Sequence, residues 1–88
     1  MSKYRRTPGL VGTEVADSEF VVLDPSSSRY YQLNPVAAAV WQAVDEPRSV
    51  ESVVELLMQR FEIGEAECRE EVAGFLERLA GQKLVEKL

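Results

Sequence analysis

The sequence predicts an α+β domain, winged-helix-like in its order, with a three-stranded antiparallel sheet followed by three helices. Three observations carry this. Apolar and β-branched residues come in short blocks up to Leu33, then recur at helical spacing from Val36 onward. Asp24-Pro25-Ser26-Ser27-Ser28 divides two of the early blocks with proline placed for a type I turn. Asn34-Pro35 marks the change of period, the asparagine as a helix N-cap and the proline at the first helical position, where its missing N–H costs nothing. A chain of 88 residues holds one domain, and a small sheet must bury one face against helices to persist in water.

Taken in order, residues 1–9, ending Thr7-Pro8-Gly9, read as a flexible basic arm carrying Lys3, Arg5 and Arg6, and residues 10–88 as the domain. Leu10 to Ala16 is the first strand, with Gly12 marking a bulge. Asp17-Ser18 is a turn signal. Phe20-Val21-Val22-Leu23 is apolar on both faces, as a central strand is. Arg29-Tyr30-Tyr31-Gln32-Leu33 returns antiparallel, with Arg29, Tyr31 and Leu33 on one face and Tyr30 and Gln32 on the other. Val36, Val40, Trp41 and Val44 form the stripe of the first helix, stopped by Asp45-Glu46-Pro47. Ser49 caps a second, striped by Val50, Val53, Val54, Leu57 and Phe61. Gly64 caps a third, with Glu67 at its third position and Ile63 and Cys68 as a hydrophobic staple. Its stripe is Cys68, Val72, Phe75, Leu76 and Leu79, and Gly81 suits the residue just past its end. Leu84-Val85 adds a short strand or closes the core.

Composition narrows the chemistry. The chain is 45% hydrophobic and 28% charged, a globular balance. Ten Lys and Arg against fifteen Asp and Glu give a net charge of −5 and a pI near 4.7, the wrong sign for a domain that lives on phosphate backbones. There is no histidine and one cysteine. That excludes a histidine base, a Cys-His dyad, a disulfide and a histidine- or cysteine-rich metal site. No phosphate loop or cofactor motif is present, and the glutamates sit mostly on solvated helix faces. The expectation is a protein that is not an enzyme, with no catalytic residue, metal or cofactor. Cys68, in register with Val72, Phe75 and Leu79, belongs to the core, as does Trp41. No apolar run approaches the length of a membrane span, and the basic N-terminus is not followed by a signal core. A cytoplasmic, reducing setting fits.

The winged-helix order raises a DNA-binding regulator as an alternative. Between Glu62 and Glu71, however, five glutamates (Glu62, Glu65, Glu67, Glu70 and Glu71) face the single Arg69, and a helix so charged is repelled by a phosphate backbone. The strand Arg29–Leu33 is more informative. It comes at or near a sheet edge, it carries neither proline nor lysine to block pairing, and its tyrosines offer contact area at low entropy cost. Such a strand accepts an extended peptide by β-augmentation.

The stretch from Val22-Leu23-Asp24-Pro25 through Arg29-Tyr30-Tyr31-Gln32-Leu33-Asn34-Pro35-Val36-Ala37-Ala38-Ala39-Val40-Trp41 resembles the PqqD-like family of RiPP precursor peptide recognition elements. The likeness extends through Arg60-Phe61, the acidic third helix and Leu84-Val85, and is closest to the stand-alone recognition proteins of lasso-peptide clusters. The family often ends its third helix in Gly-Leu-Val, where this chain has Lys83-Leu84-Val85.

The resemblance implies a non-catalytic adaptor that takes a precursor's leader peptide as an added strand between the third strand and third helix. It implies delivery to a transglutaminase-like cysteine leader peptidase, with a macrolactam cyclase as a further possible partner, and neither nucleic acid nor membrane. The same adaptor serving another RiPP-modifying enzyme is the near alternative. Carried onto this chain, Arg29, Tyr30, Tyr31, Gln32 and Leu33 form the strand wall. Arg69, Val72, Ala73, Phe75, Leu76 and Leu79 supply the helix wall, with Arg69, Glu70 or Glu71 giving charge at the rim.

Overall fold

Eight elements follow one another in the computed structural model, which describes residues 2–17 and 19–88. They are β1 (Tyr4–Arg6), β2 (Val11–Ala16), β3 (Glu19–Asp24), β4 (Arg29–Leu33), α1 (Pro35–Ala43), α2 (Val50–Met58), α3 (Glu65–Gly81) and β5 (Val85–Lys87). The three expected strands are β2, β3 and β4, an antiparallel sheet in that order. β3 is central, as its two-sided apolar character demands. Of the Asp17-Ser18 turn expected between β2 and β3, Ser18 lies outside the described residues.

Alternation sets the faces. β3 buries Val22 completely, while Val11, Leu23 and Tyr30, paired across the strands, form an outward row. The β3–β4 turn is held by Asp24, whose Oδ1 accepts from Ser26 N (3.1 Å) and Oγ (2.7 Å). Asn34 and Ser49 act as the N-caps expected of them, Asn34 Oδ1 accepting from Ala37 N at 2.8 Å and Ser49 Oγ from Ser52 N at 3.2 Å. Gly64 caps α3 without a side-chain bond, and Glu65 and Glu67 place negative charge in its first turn, where the helix dipole favours it. α1 packs on β3 and β4 and also on α2 and α3, and its buried Ala37, Ala38 and Ala39 keep those approaches short.

Three expectations change. Residues 1–9 are not simply a flexible arm. β1 pairs antiparallel with β5, Tyr4 opposite Lys87 and Arg6 opposite Val85, and its other side bonds to the α1–α2 connection, Tyr4 N to Arg48 O at 2.7 Å and Arg6 N to Val44 O at 2.8 Å. Tyr4 is only 4% exposed, with its hydroxyl donating to Glu77 Oε1 at 3.2 Å. Arg5 pairs with Glu86 at 2.6 Å. Three residues are too few to show alternation, and their partners lie in mid-chain and at the far end of the chain.

Gly12 does not mark the bulge, which falls between Glu14 and Ala16. It is where Trp41 and Phe20 lie against the backbone: a Cβ there would meet Trp41 Cζ3 at 2.5 Å and Phe20 Cζ at 2.8 Å. Gly81 is the last residue of α3, not the residue past its end. Lys83 takes the left-handed conformation (φ 63°), with Leu84 N bonded to Leu79 O (2.8 Å) and Lys83 N to Ala80 O (3.0 Å). This is a Schellman motif with lysine in glycine's place. Its position is set by Leu84, which must turn inward to be buried.

Two outcomes follow. Lys83→Gly removes the left-handed strain of a β-carbon and, net of glycine's added chain entropy, raises stability by about 0.5–1 kcal/mol in urea denaturation. Burial, foremost, and the neighbouring Glu77 carboxylate push the Tyr4 phenol above its ordinary value of 10.0. A raised folded-state value means stability that is complete below pH 10 and is lost as the pH rises through the folded value. Stability measured from pH 9 to 12 therefore falls less steeply in Tyr4→Phe than in the parent chain; an unchanged slope counts against a buried phenol.

Candidate functional site

The sheet has two edges, and they differ. β2 is interrupted by its bulge and carries Glu14, both features that discourage further pairing. β4 runs in unbroken register through five pairs with β3, from Asp24↔Arg29 to Phe20↔Leu33, and its other side has no strand partner among the described residues. That edge faces a groove, because α1 packs against both β4 and α3 and holds them apart.

The groove opens as a cleft of about 190 Å³. Gln32 and Leu33 form its strand side and Asn34 and Ala37 its floor, while Phe75, Arg78, Leu79 and Gln82 line the helix side. Those four recur at i, i+3, i+4 and i+7, one face of a helix turning 100° per residue. Past Gln82 the groove continues toward the β3–β4 turn, between Arg29 and Tyr31 on the strand and Gly81 and Lys83 beyond the helix, with Asp24 and Ser27 at its end.

The structure thus brings together Arg29, Tyr31, Gln32, Leu33, Phe75 and Leu79 from the sequence-predicted set. It does not bring the others. Tyr30 is 70% exposed on the outer face of the sheet, beside Leu23. Val72 and Leu76 are wholly buried in the core. Arg69 turns to α2, its Nε and Nη2 donating to Glu51 Oε1 and Oε2 at 2.7 and 2.8 Å, which holds the Glu51 carboxyl below its ordinary value. Ala73, one turn on from Arg69, shares that flank. Glu70 and Glu71 do not line the groove. Sequence reasoning missed Arg78 and Gln82, although a stripe continued from Phe75 at i+3 and i+7 reaches both.

The electrostatics of the groove are opposite to those of the chain. Arg29, Arg78 and Lys83 line it against the single acid Asp24. The Asp24 carboxylate is taken up by Ser26, whose hydrogen bonds, with those of Ser27, hold it below the ordinary carboxylate range. The Arg78 guanidinium lies 4.6 Å over the Phe75 ring. Among the described residues none of the three cations is ion-paired. Cys68 lies elsewhere, 1% exposed, its thiol pushed upward by burial and, less, by Glu71, so it stays protonated. Among the described residues no three His, Cys, Asp or Glu side chains gather as metal ligands, and no helix is long and apolar enough to cross a membrane.

A β4 edge open to pairing, an apolar cleft beside it and a cationic far end can hold an extended chain through backbone bonds and side-chain pockets. The family model described as Coenzyme PQQ synthesis protein D (PqqD) matches residues 19–85. No curated protein matches the sequence. Three solved structures share the fold. One, described as TbiB1 in complex with the TbiA(beta) leader peptide, is 22% identical with a TM-score of 0.78, over 93% of this chain and 94% of that one. A lasso peptide synthetase B1 complexed with the leader peptide is 24% identical with a TM-score of 0.76, over 94% and 96%. The PqqD truncation of Methylobacterium extorquens PqqCD, a stand-alone RiPP recognition element solved by NMR, is 24% identical with a TM-score of 0.76, over 96% and 88%.

The two flanks of α3 separate by mutation. Arg69→Gln costs no more than about 1 kcal/mol, the range of exposed ion pairs, and leaves the amide chemical shifts of Gln32, Arg78 and Gln82 in place. Phe75→Ala moves those shifts. Shifts at Gln32 and Gln82 in the Arg69 variant would place that residue at the groove after all.

Proposed function

The chain belongs to the PqqD family, and from that premise we propose that it is a non-catalytic adaptor for a ribosomally synthesised precursor peptide, of the lasso-peptide kind. It binds the precursor's leader as a fourth strand on β4, in the groove against Phe75, Leu79 and Gln82, and delivers it to a separate leader peptidase of the transglutaminase-like cysteine class. The macrolactam cyclase acts after that step. The observation that carries this reading is the uninterrupted β4 edge facing the groove. Two of the similar structures are described as complexes with a leader peptide, which supports it.

Function then rests on position, not on bond-making. Backbone groups of β4 give affinity without regard to sequence, and the side chains flanking them choose among sequences. Tyr31 and Leu33 turn to the helices and so give the strand side an apolar surface against which alternate side chains of the leader pack. The adaptor raises the concentration of the cleavage site at the peptidase, so its contribution is effective molarity. A cytoplasmic setting follows from this role. The acidic first half of α3, with Glu65, Glu67, Glu70 and Glu71, counts against a reader of duplex DNA.

The test is a titration of the purified chain with a fluorescent synthetic leader from the adjacent precursor gene, and leader cleavage with the peptidase added. Saturable binding lost on scrambling is expected, weakened about tenfold or more, or at least 1.4 kcal/mol, by Tyr31→Ala and by Phe75→Ala. Affinity and cleavage unchanged in both folded variants would sink the reading.

A further inference from the structure

We propose that the groove selects an acidic strand: an Asp or Glu side chain of the bound peptide meets Arg29 and Lys83, about four residues from the apolar side chain that fills the cleft beside Phe75 and Leu79. The inference rests on the peptide-binding reading and adds to it the chemistry of the ligand.

The charge distribution is the first ground. The chain carries five more acids than bases, yet the groove is lined by three bases and one acid. A neutral or basic peptide does not need that inversion. The second ground is that these cations have unused bonding capacity. Among the described residues Arg29, Arg78 and Lys83 are in no ion pair with a carboxylate of the chain, a state they share with Lys3, Arg6, Arg60 and Lys87 outside the groove. Asp24, the one acid that lines the groove, has its Oδ1 bonded to the N–H and hydroxyl of Ser26 and is in no ion pair among the described residues.

The third ground is the division of the groove. Phe75 and Leu79 lie at the Leu33 end, together with Arg78, and Arg29 and Lys83 lie at the Arg29 end. Leu33 and Arg29 point to the same face of β4, four residues or about 13 Å apart at 3.3 Å per residue. A paired strand keeps that spacing, and an even separation puts both of its side chains on one face. Arg78, stacked on Phe75, lines the Leu33 end itself, and Gln82 is common to the two parts. An arginine so placed offers a planar, bidentate fork to a carboxylate.

Panning a phage-displayed library of random dodecamers against the full chain tests this, with a parallel selection on the double variant Arg29→Gln, Lys83→Gln, checked for folding by circular dichroism. The expected result is enrichment of Asp or Glu about four positions from an apolar residue on the parent chain. The double variant keeps the apolar preference and loses the acidic one. In a selected peptide, replacing that acid by its amide lowers affinity for the parent about tenfold and for the double variant hardly at all. Apolar enrichment with no acidic preference, or an equal loss on both proteins, overturns this inference and leaves peptide binding standing. Failure to enrich any peptide, or selected peptides whose affinity ignores Phe75→Ala, overturns the peptide-binding reading and this inference together.

Discussion

The packing of one indole organises the molecule. Trp41 projects from α1 into a space bounded by β1, β2, β3 and the approach to β5. Its ring rests on the backbone of β2 at Gly12 and lies 5.9 Å from Phe20 of β3. It is covered by the Arg6 guanidinium of β1 at 4.2 Å and donates through Nε1 to the Leu84 carbonyl just before β5 at 3.2 Å. A tryptophan buries a large apolar area and still requires a partner for its N–H, and both demands are met by segments far apart in sequence. Two sheets that share no backbone hydrogen bond among the described residues are joined because each contributes a wall to this ring. The glycine is obligatory in that arrangement, since any side chain would displace the indole or Phe20.

From that anchor the groove follows. α1 is fixed over β3 and β4 by Trp41 and by its run of alanines, and α3 is fixed on α1, α2 and β5. Nothing in this scheme draws α3 onto β4. The gap between them is therefore a product of the core, and it needs no flexible part. Natural sheets commonly protect their edges. This one protects β2 with a bulge and leaves β4 straight, and the residues beside the unprotected edge mix the apolar Phe75 and Leu79 with the cations Arg78, Arg29 and Lys83.

Much of this was legible in the sequence, for local reasons. The β3–β4 turn, the Asn34 and Ser49 caps and the stripes of α1, α2 and α3 depend on residues within a few positions of one another, and period and turn chemistry report them. β1 depends on contacts with Val44 and Arg48 in mid-chain and with β5 at the far end, and in three residues it displays no period. The end of α3 was misplaced because glycine is the usual left-handed residue, whereas here the need to bury Leu84 fixes the turn at Lys83. The strand side of the candidate site was readable apart from Tyr30, because alternation assigns faces without saying which one meets a helix. The helix side was harder. A stripe shows where the core lies but not which neighbour stands to its left or right, so Arg69 and Ala73 were assigned to a flank that belongs to α2. The missing information was the bidentate Arg69–Glu51 pair, eighteen residues apart.

The pairing of β1 with β5 brings Leu88 N within 2.7 Å of Lys3 O, so the chain enters and leaves the fold side by side. A domain built in this way is a cassette. It can be spliced into a surface loop of a host protein without prying the host apart, and its own chain can be reopened at a solvent-exposed turn and its old ends joined by a short linker. Whether it travels alone or embedded in a larger polypeptide, the groove is unaffected, since no residue of the two end strands lines it.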